Sequence, residues 1–290
     1  MNDNLFSGVC TALVTPFIHN KVNYPMLKRL IHRQIEAGIK AIVLCGTTGE
    51  SATLTDEEKL EIISISKKFV KDDCLIIAGT GSNATQHAID LSIHAQEVGA
   101  DALLVVSPYY NKATPEGLWS HYLSVSRCVS IPIIVYNVPS RTGVDIPVSV
   151  YEKLAQLPNI AGVKEANADI TKITKIRNAC GHQFSIWSGN DDMTVPIIAL
   201  GGKGVISVLS NIYPYEMRLM CEAALAGDFD TATDIQHKLQ PLSDLMFCEV
   251  NPIPVKAAMN QIGFDCGPCR LPLCAPTQQT TEAIKRLLSD

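Results

Sequence analysis

The chain has 290 residues, 47% of them hydrophobic and 18% charged, with a formal net charge of −5. That is enough apolar material for one large α/β domain or two smaller ones, and the absence of any run of like charge argues against a nucleic-acid surface. No apolar stretch has the length of a membrane span. Met1-Asn-Asp-Asn-Leu-Phe-Ser7 has neither the basic nor the apolar region of a secretory leader, so a cytoplasmic protein is expected.

Apolar runs recur at 9–15, 41–45, 75–78, 102–107, 131–136, 160–164, 184–188 and 204–209. They are apolar on both parities, as strands covered on both faces must be. Between them lie helical patterns at 24–37, 84–98, 115–128, 147–157, 169–179 and 192–200, and Thr55-Asp-Glu-Glu58 reads as a capping box opening another helix. Eight strands, each followed by a helix, within about 225 residues match the rhythm and size of an α/β (β/α)8 TIM barrel. A doubly wound open sheet is the alternative, but no G-x-G-x-x-G follows a strand, so a dinucleotide site has no support. From Gly227 the rhythm changes to helices at 228–247, 255–262 and 277–288, with a proline-rich stretch at 268–276. The expected organisation is a catalytic barrel over 1–226 and a helical extension over 227–290.

In such a barrel the chemistry sits at the C-terminal ends of the strands. Of sixteen lysines, only Lys164 is carried toward a core by its own strand, at the end of Ile160-Ala-Gly-Val-Lys164. Burying an ammonium without a partner is costly or strips its proton, and a neutral amine attacks carbonyls. Taken alone, the stretch fits equally well a lysine that reaches back to solvent. The fifth strand ends at Tyr136, beside Lys164 in barrel order, where a phenol can relay protons or merely lid the core. The turn Gly46-Thr-Thr-Gly-Glu50 offers free backbone N–H groups and hydroxyls to a carboxylate or phosphate, although glycine-rich turns are also common at this position. Arg141, in Asn137-Val-Pro-Ser-Arg-Thr-Gly143, can grip a carboxylate bidentately or simply sit at the surface.

Metal chemistry has less support. Cys266, Cys269 and Cys274 contain one C-x-x-C, and Cys248 is a distant fourth, but a zinc site ordinarily needs a second pair. Asp191 and Asp192 follow the seventh strand with no histidine at any strand end to complete a ligand set, so helix N-capping is their expected role. No metal is expected.

Together, Gly46-Thr-Thr-Gly-Glu50, Tyr136-Asn-Val-Pro-Ser-Arg-Thr-Gly143 and Gly162-Val-Lys-Glu-Ala166 make the chain resemble the dihydrodipicolinate synthase family of pyruvate-dependent class I aldolases. The resemblance spans the whole chain. It implies condensation of pyruvate with L-aspartate 4-semialdehyde to 4-hydroxy-tetrahydrodipicolinate, in lysine and diaminopimelate biosynthesis, without a cofactor. By the same resemblance Lys164 forms the Schiff base, and Tyr136, Thr47 and Tyr110 form a proton relay, Tyr110 coming from a neighbouring subunit. Thr48 holds the pyruvate carboxylate, Arg141 the carboxylate of the aldehyde, and backbone at Gly189 and Ile206 lines the site. A homotetramer, a dimer of dimers, is implied as well. N-acetylneuraminate lyases and 2-keto-3-deoxy sugar-acid aldolases share the lysine and tyrosine but usually lack the arginine, so they form the alternative.

The resemblance also implies an effector site. Lysine-inhibited relatives bind the effector at a subunit interface, and Ser51, Ala52, Asn83 and Tyr109 match its lining. Asp56 and Lys59 stand where those relatives have histidines, and His87 stands where they have a glutamate. Weak or absent feedback by L-lysine is therefore expected.

Overall fold

The computed structural model describes residues 5–70 and 72–289, so the first four residues of the stretch read for a leader lie outside it. Eight strands form: β1 Gly8–Ala12, β2 Ala41–Leu44, β3 Leu75–Gly79, β4 Ala102–Val106, β5 Ile133–Asn137, β6 Ile160–Glu165, β7 Ser185–Ser188 and β8 Gly204–Ser207. Each pairs in parallel with the next, and β8 pairs with β1, so the sheet closes into a barrel. All eight expected strands are present. A small antiparallel hairpin, Phe17–Ile18 with Lys21–Val22, is additional.

Closure explains why both parities are apolar. One set of side chains, including Cys10, Val43, Ile77, Leu104, Ile134 and Trp187, fills the lumen. The other, including Ile42, Ile76, Leu103, Val135, Val163 and Val205, packs under the helices. Phe6 closes the end of the barrel from which β1 starts. Its ring stacks on Trp187 at 4.8 Å, and the indole N–H donates to its carbonyl at 3.2 Å.

The helices are α1 Tyr24–Glu36, α2 Asp56–Val70, α3 Thr85–Glu97, α4 Pro115–Ser126, the single turn α5 Pro139–Thr142, α6 Val148–Leu154, α7 Ile170–Cys180, α8 Thr194–Ala199, α9 Pro214–Ala226, α10 Phe229–Met246, α11 Ile253–Gln261 and α12 Gln278–Leu287. The capping box is formed reciprocally: Glu58 N–H donates to Thr55 Oγ1 at 3.2 Å and Thr55 N–H to Glu58 Oε2 at 3.0 Å. Leu242, Met246, Val255, Met259 and Ile284 of the last three helices share one apolar cluster with the outer faces of the strands. The segment after α11 then returns to the small hairpin that follows β1, where Phe17 N–H donates to Cys266 O at 2.9 Å.

One expected helix start differs. Asp191 does not cap a helix: α8 begins at Thr194, after a 3-10 turn over Asp191–Met193. The Asp191 side chain is fully enclosed, and its Oδ2 accepts the N–H groups of Val208 at 3.0 Å and Leu209 at 2.9 Å. Two free donors just beyond β8 outcompete the helix terminus for this carboxylate. Burial pushes its pKa up, against the pull of those N–H groups and of the nearby Lys164 charge.

Candidate active site

A cavity of about 140 Å³ opens at the C-terminal mouth of the barrel. Tyr136 and Lys164 are direct partners in the β5–β6 register and both line it. The Lys164 Nζ lies 4.3 Å from the centre of the Tyr136 ring. Among the described residues four lysines are buried rather than the one expected from strand position: Lys59, Lys164, Lys172 and Lys256. The other three lie on helices, where sequence position suggested a solvated amine. They meet Asp56, then Asp145 and Glu165, then Glu50, respectively. Among the described residues Lys164 alone of the four has no carboxylate within ion-pair distance. An unpaired buried amine beside an aromatic face is costly to keep for structure alone, and it faces an open cavity.

The β2 turn forms the next wall. Gly46, Thr47 and Thr48 line the cavity, and the turn is tied down from outside it. Thr15 Oγ1 donates to Gly49 O at 2.7 Å, and Glu50 takes a left-handed backbone with φ +58°. Such a conformation in a non-glycine residue needs compensation. It comes from Lys256 Nζ at 2.7 Å and Arg270 N–H at 2.8 Å, both donating to the Glu50 carboxylate.

Arg141 sits on α5 at the cavity mouth, solvent-exposed, with one guanidinium N–H donating to Asn251 O at 3.1 Å. Gly189 lines the opposite wall. A Cβ there would lie 2.6 Å from Ala166 Cβ, so only glycine lets the ends of β6 and β7 approach this closely. Ile206 is fully buried in the lumen cluster on β8, and it is Val208, beyond the strand end, that reaches the cavity. Tyr110 is not brought to the cavity within one chain. It is 88% exposed on the loop after β4, with φ +73°.

Asn251 and Phe247, from the C-terminal extension, also line the cavity, and sequence reasoning did not find them. Asn251 Nδ2 donates to Thr48 Oγ1 at 3.0 Å, so this residue links the β2 turn to Arg141. The only available signal was Asn251-Pro-Ile-Pro254, a polar residue before a proline-marked helix start.

The expected effector residues lie away from the cavity, around the starts of α2 and α3. Here Asp56 is engaged on both oxygens, by Lys59 Nζ at 3.0 Å and His87 Nε2 at 2.7 Å, and His87 Nδ1 meets Ser82 Oγ at 3.1 Å. Ser51 and Ala52 form the adjoining 3-10 turn, Asn83 O accepts from Asn111 Nδ2 at 2.8 Å, and Tyr109 is exposed. Cys266 and Cys269 thiols are both pushed up to about 12 by burial, and among the described residues no group of three His, Cys, Asp or Glu is placed to hold a metal ion.

The model of the dihydrodipicolinate synthetase family matches residues 5–290. A 4-hydroxy-tetrahydrodipicolinate synthase of Thermoanaerobacter sp. (strain X514) is 48% identical over 286 residues, covering 98% of this chain and 96% of the relative. The crystal structure of dihydrodipicolinate synthase from Aquifex aeolicus superposes with a TM-score of 0.97 at 44% identity, over 98% of this chain and 97% of that one. A monomeric dihydrodipicolinate synthase variant superposes at 0.96 with 40% identity, over 98% and 96%.

Proposed function

Because the chain belongs to the dihydrodipicolinate synthetase family, we propose that it condenses pyruvate with L-aspartate 4-semialdehyde through a Schiff base on Lys164, giving 4-hydroxy-tetrahydrodipicolinate. The observation that carries this reading is the buried Lys164 amine, without a carboxylate partner among the described residues, against the Tyr136 ring in the cavity wall.

Lys164 Nζ adds to the keto carbon of pyruvate, and loss of water leaves a protonated imine. Thr48 and the N–H groups of its turn hold the pyruvate carboxylate. The imine withdraws electrons, so the pyruvate methyl releases a proton to the Tyr136 oxygen and becomes an enamine carbon. That carbon bonds to the aldehyde carbon of the second substrate, whose oxygen takes up a proton. Arg141, exposed at the mouth and held there by Asn251 O, binds the carboxylate of this substrate. The substrate amine then attacks the imine carbon, closes a six-membered ring and expels Lys164. One water leaves overall and no external oxidant or reductant is used.

Tyr110 enters this scheme only from a second copy of the chain, and its exposure on a constrained loop supports that role. A homotetramer built as a dimer of dimers follows as the proposed assembly, with Thr47 linking Tyr110 to Tyr136. The test is a coupled assay with dihydrodipicolinate reductase, following NADPH loss. Turnover is expected with wild type and none with Lys164→Ala, whose circular dichroism should stay native. A Lys164→Ala variant that keeps more than a trace of activity would refute the Schiff base. Cleavage of sialic acid or keto-deoxy sugar acids, without turnover of the semialdehyde, would point to the alternative.

A further inference from the structure

Behind the reactive pair lies a second, outward-facing layer. The residues next to Tyr136 and Lys164 in their strands, Asn137 and Glu165, are also register partners. Both are fully buried. Glu165 Oε1 accepts from Asn137 Nδ2 at 2.7 Å and from Asn167 N–H at 2.9 Å. Its Oε2 accepts from the Tyr151 hydroxyl at 3.2 Å and lies 3.5 Å from Lys172 Nζ. Lys172 also pairs with Asp145, which accepts from the same Asn137 amide at 2.7 Å and from Asn167 Nδ2 at 3.0 Å. Asn137 Oδ1 accepts Ile146 N–H at 3.1 Å. Glu165 thus ties the ends of β5 and β6 to α6 and α7, and Asn137 and Lys172 extend the network to the segment that follows Arg141.

Two features give this layer a task. The β5–β6 pairing shifts register between Ile133 and Ile134, so the alignment of Tyr136 with Lys164 is not inherited from the lower strand. A one-residue slip in a strand turns every side chain to the other face, and a bulge bends and twists the strand that carries it. The Asn137–Glu165 link sits immediately beyond the reactive pair, where it fixes the shifted alignment. In addition, two of the four groups that donate to Glu165 can never accept, the Asn167 N–H at Oε1 and the Lys172 ammonium at Oε2, so only an acceptor on both oxygens satisfies them.

We propose that Glu165, held by Lys172 and Asn137, is a positioning residue for imine formation: it locks the register that sets the Lys164 amine against Tyr136 and toward the substrate carbonyl. This rests on the Schiff-base reading above. The step served is addition of the Lys164 nitrogen to the keto carbon, with the carbonyl oxygen leaving as water.

The experiment compares the rate at which borohydride traps pyruvate on Lys164, read by intact-protein mass, with kcat and the pyruvate KM. Glu165→Gln turns an amide donor toward donors at unchanged volume. It should slow trapping and kcat together by about tenfold to a hundredfold, the scale of a misplaced catalytic group, while KM moves by less than about threefold. Adding Lys172→Met removes the donor on the Oε2 side that cannot turn to accept, and should recover part of the lost rate. The control is Asn159→Ala, at the opposite end of β6, where Asn159 Nδ2 donates to Ser126 O at 2.9 Å and Val129 O at 3.0 Å. It should lower thermal stability yet trap pyruvate at the wild-type rate. Wild-type trapping in Glu165→Gln would overturn the proposal. If that variant does not fold, Asp145→Asn, at a half-exposed site ringed by the same donors, must slow trapping, and failure to do so overturns it equally. A wild-type enzyme that traps no pyruvate would instead sink the Schiff-base reading itself.

Discussion

Lys256→Met would leave the Glu50 carboxylate buried without its cation. The two side chains are 2% and 0% exposed, and their atoms meet at 2.7 Å. Methionine keeps most of the lysine's volume, so the loss isolates the charge rather than opening a cavity. Breaking a buried pair from one side costs about 3–5 kcal/mol, because the remaining ion has no substitute for water. Unfolding a chain of 290 residues carries an entropy of about 0.6 kcal/mol/K, so the variant should melt about 5–8 °C below wild type. Replacing both partners, Lys256→Met with Glu50→Gln, removes the orphaned charge and should recover most of that loss. The pyruvate KM should rise in the single variant, since Glu50 anchors the turn that carries Thr48. Thermal melts by circular dichroism, with initial rates, test this. A shift under about 2 °C, or a double variant less stable than either single one, would refute the reasoning.

Arg141→Ala removes charge-assisted hydrogen bonds to the second substrate and should raise its KM about 10- to 150-fold with little change for pyruvate; equal effects on both would count against the role. L-lysine at sub-millimolar concentration should leave turnover unchanged, because Asp56 is already engaged by Lys59 and His87 and no carboxylate replaces the glutamate at His87. Inhibition in that range would show that the exchange is compensated. Arg270 holds the Glu58 carboxyl below its usual range through two contacts at 2.6 Å. A depressed carboxylate contributes stability that is present above its unfolded pKa and lost as pH falls through its folded one. The melting-temperature gap between wild type and Glu58→Gln should therefore hold at pH 7 and close below about pH 4. A gap that persists at the acid end would argue that the contact is not ionic.

The barrel was legible because closure demands apolar residues on both strand faces, and eight such runs carry that demand openly. Lys164 was legible for the same reason, as a cation inside an otherwise apolar run. Lys172 and Lys256 were not. A lysine on an amphipathic helix reads as solvated, and only the fold brings Glu165 and Glu50 within reach. Asn251 escaped for a related reason: its partner Thr48 lies 203 positions away, and no local periodicity encodes a contact of that range. Asp191 was misread as a helix cap because local sequence favours that role, whereas the donors that capture it come from beyond β8.

The extension's contribution of Asn251 and Phe247 has a consequence for a chain still being made. All eight strands are in place once residue 207 has emerged, so the barrel can close at that point. Its mouth is still unfinished, because the residues that brace Thr48 and Arg141 are synthesised more than forty positions later. Synthesis runs from the N-terminus at about 5–20 residues per second, which leaves seconds in which a closed barrel has no completed substrate site. Closure of the barrel and completion of its mouth are therefore separate events in time, the second waiting until Asn251 and Phe247 have docked against the cavity.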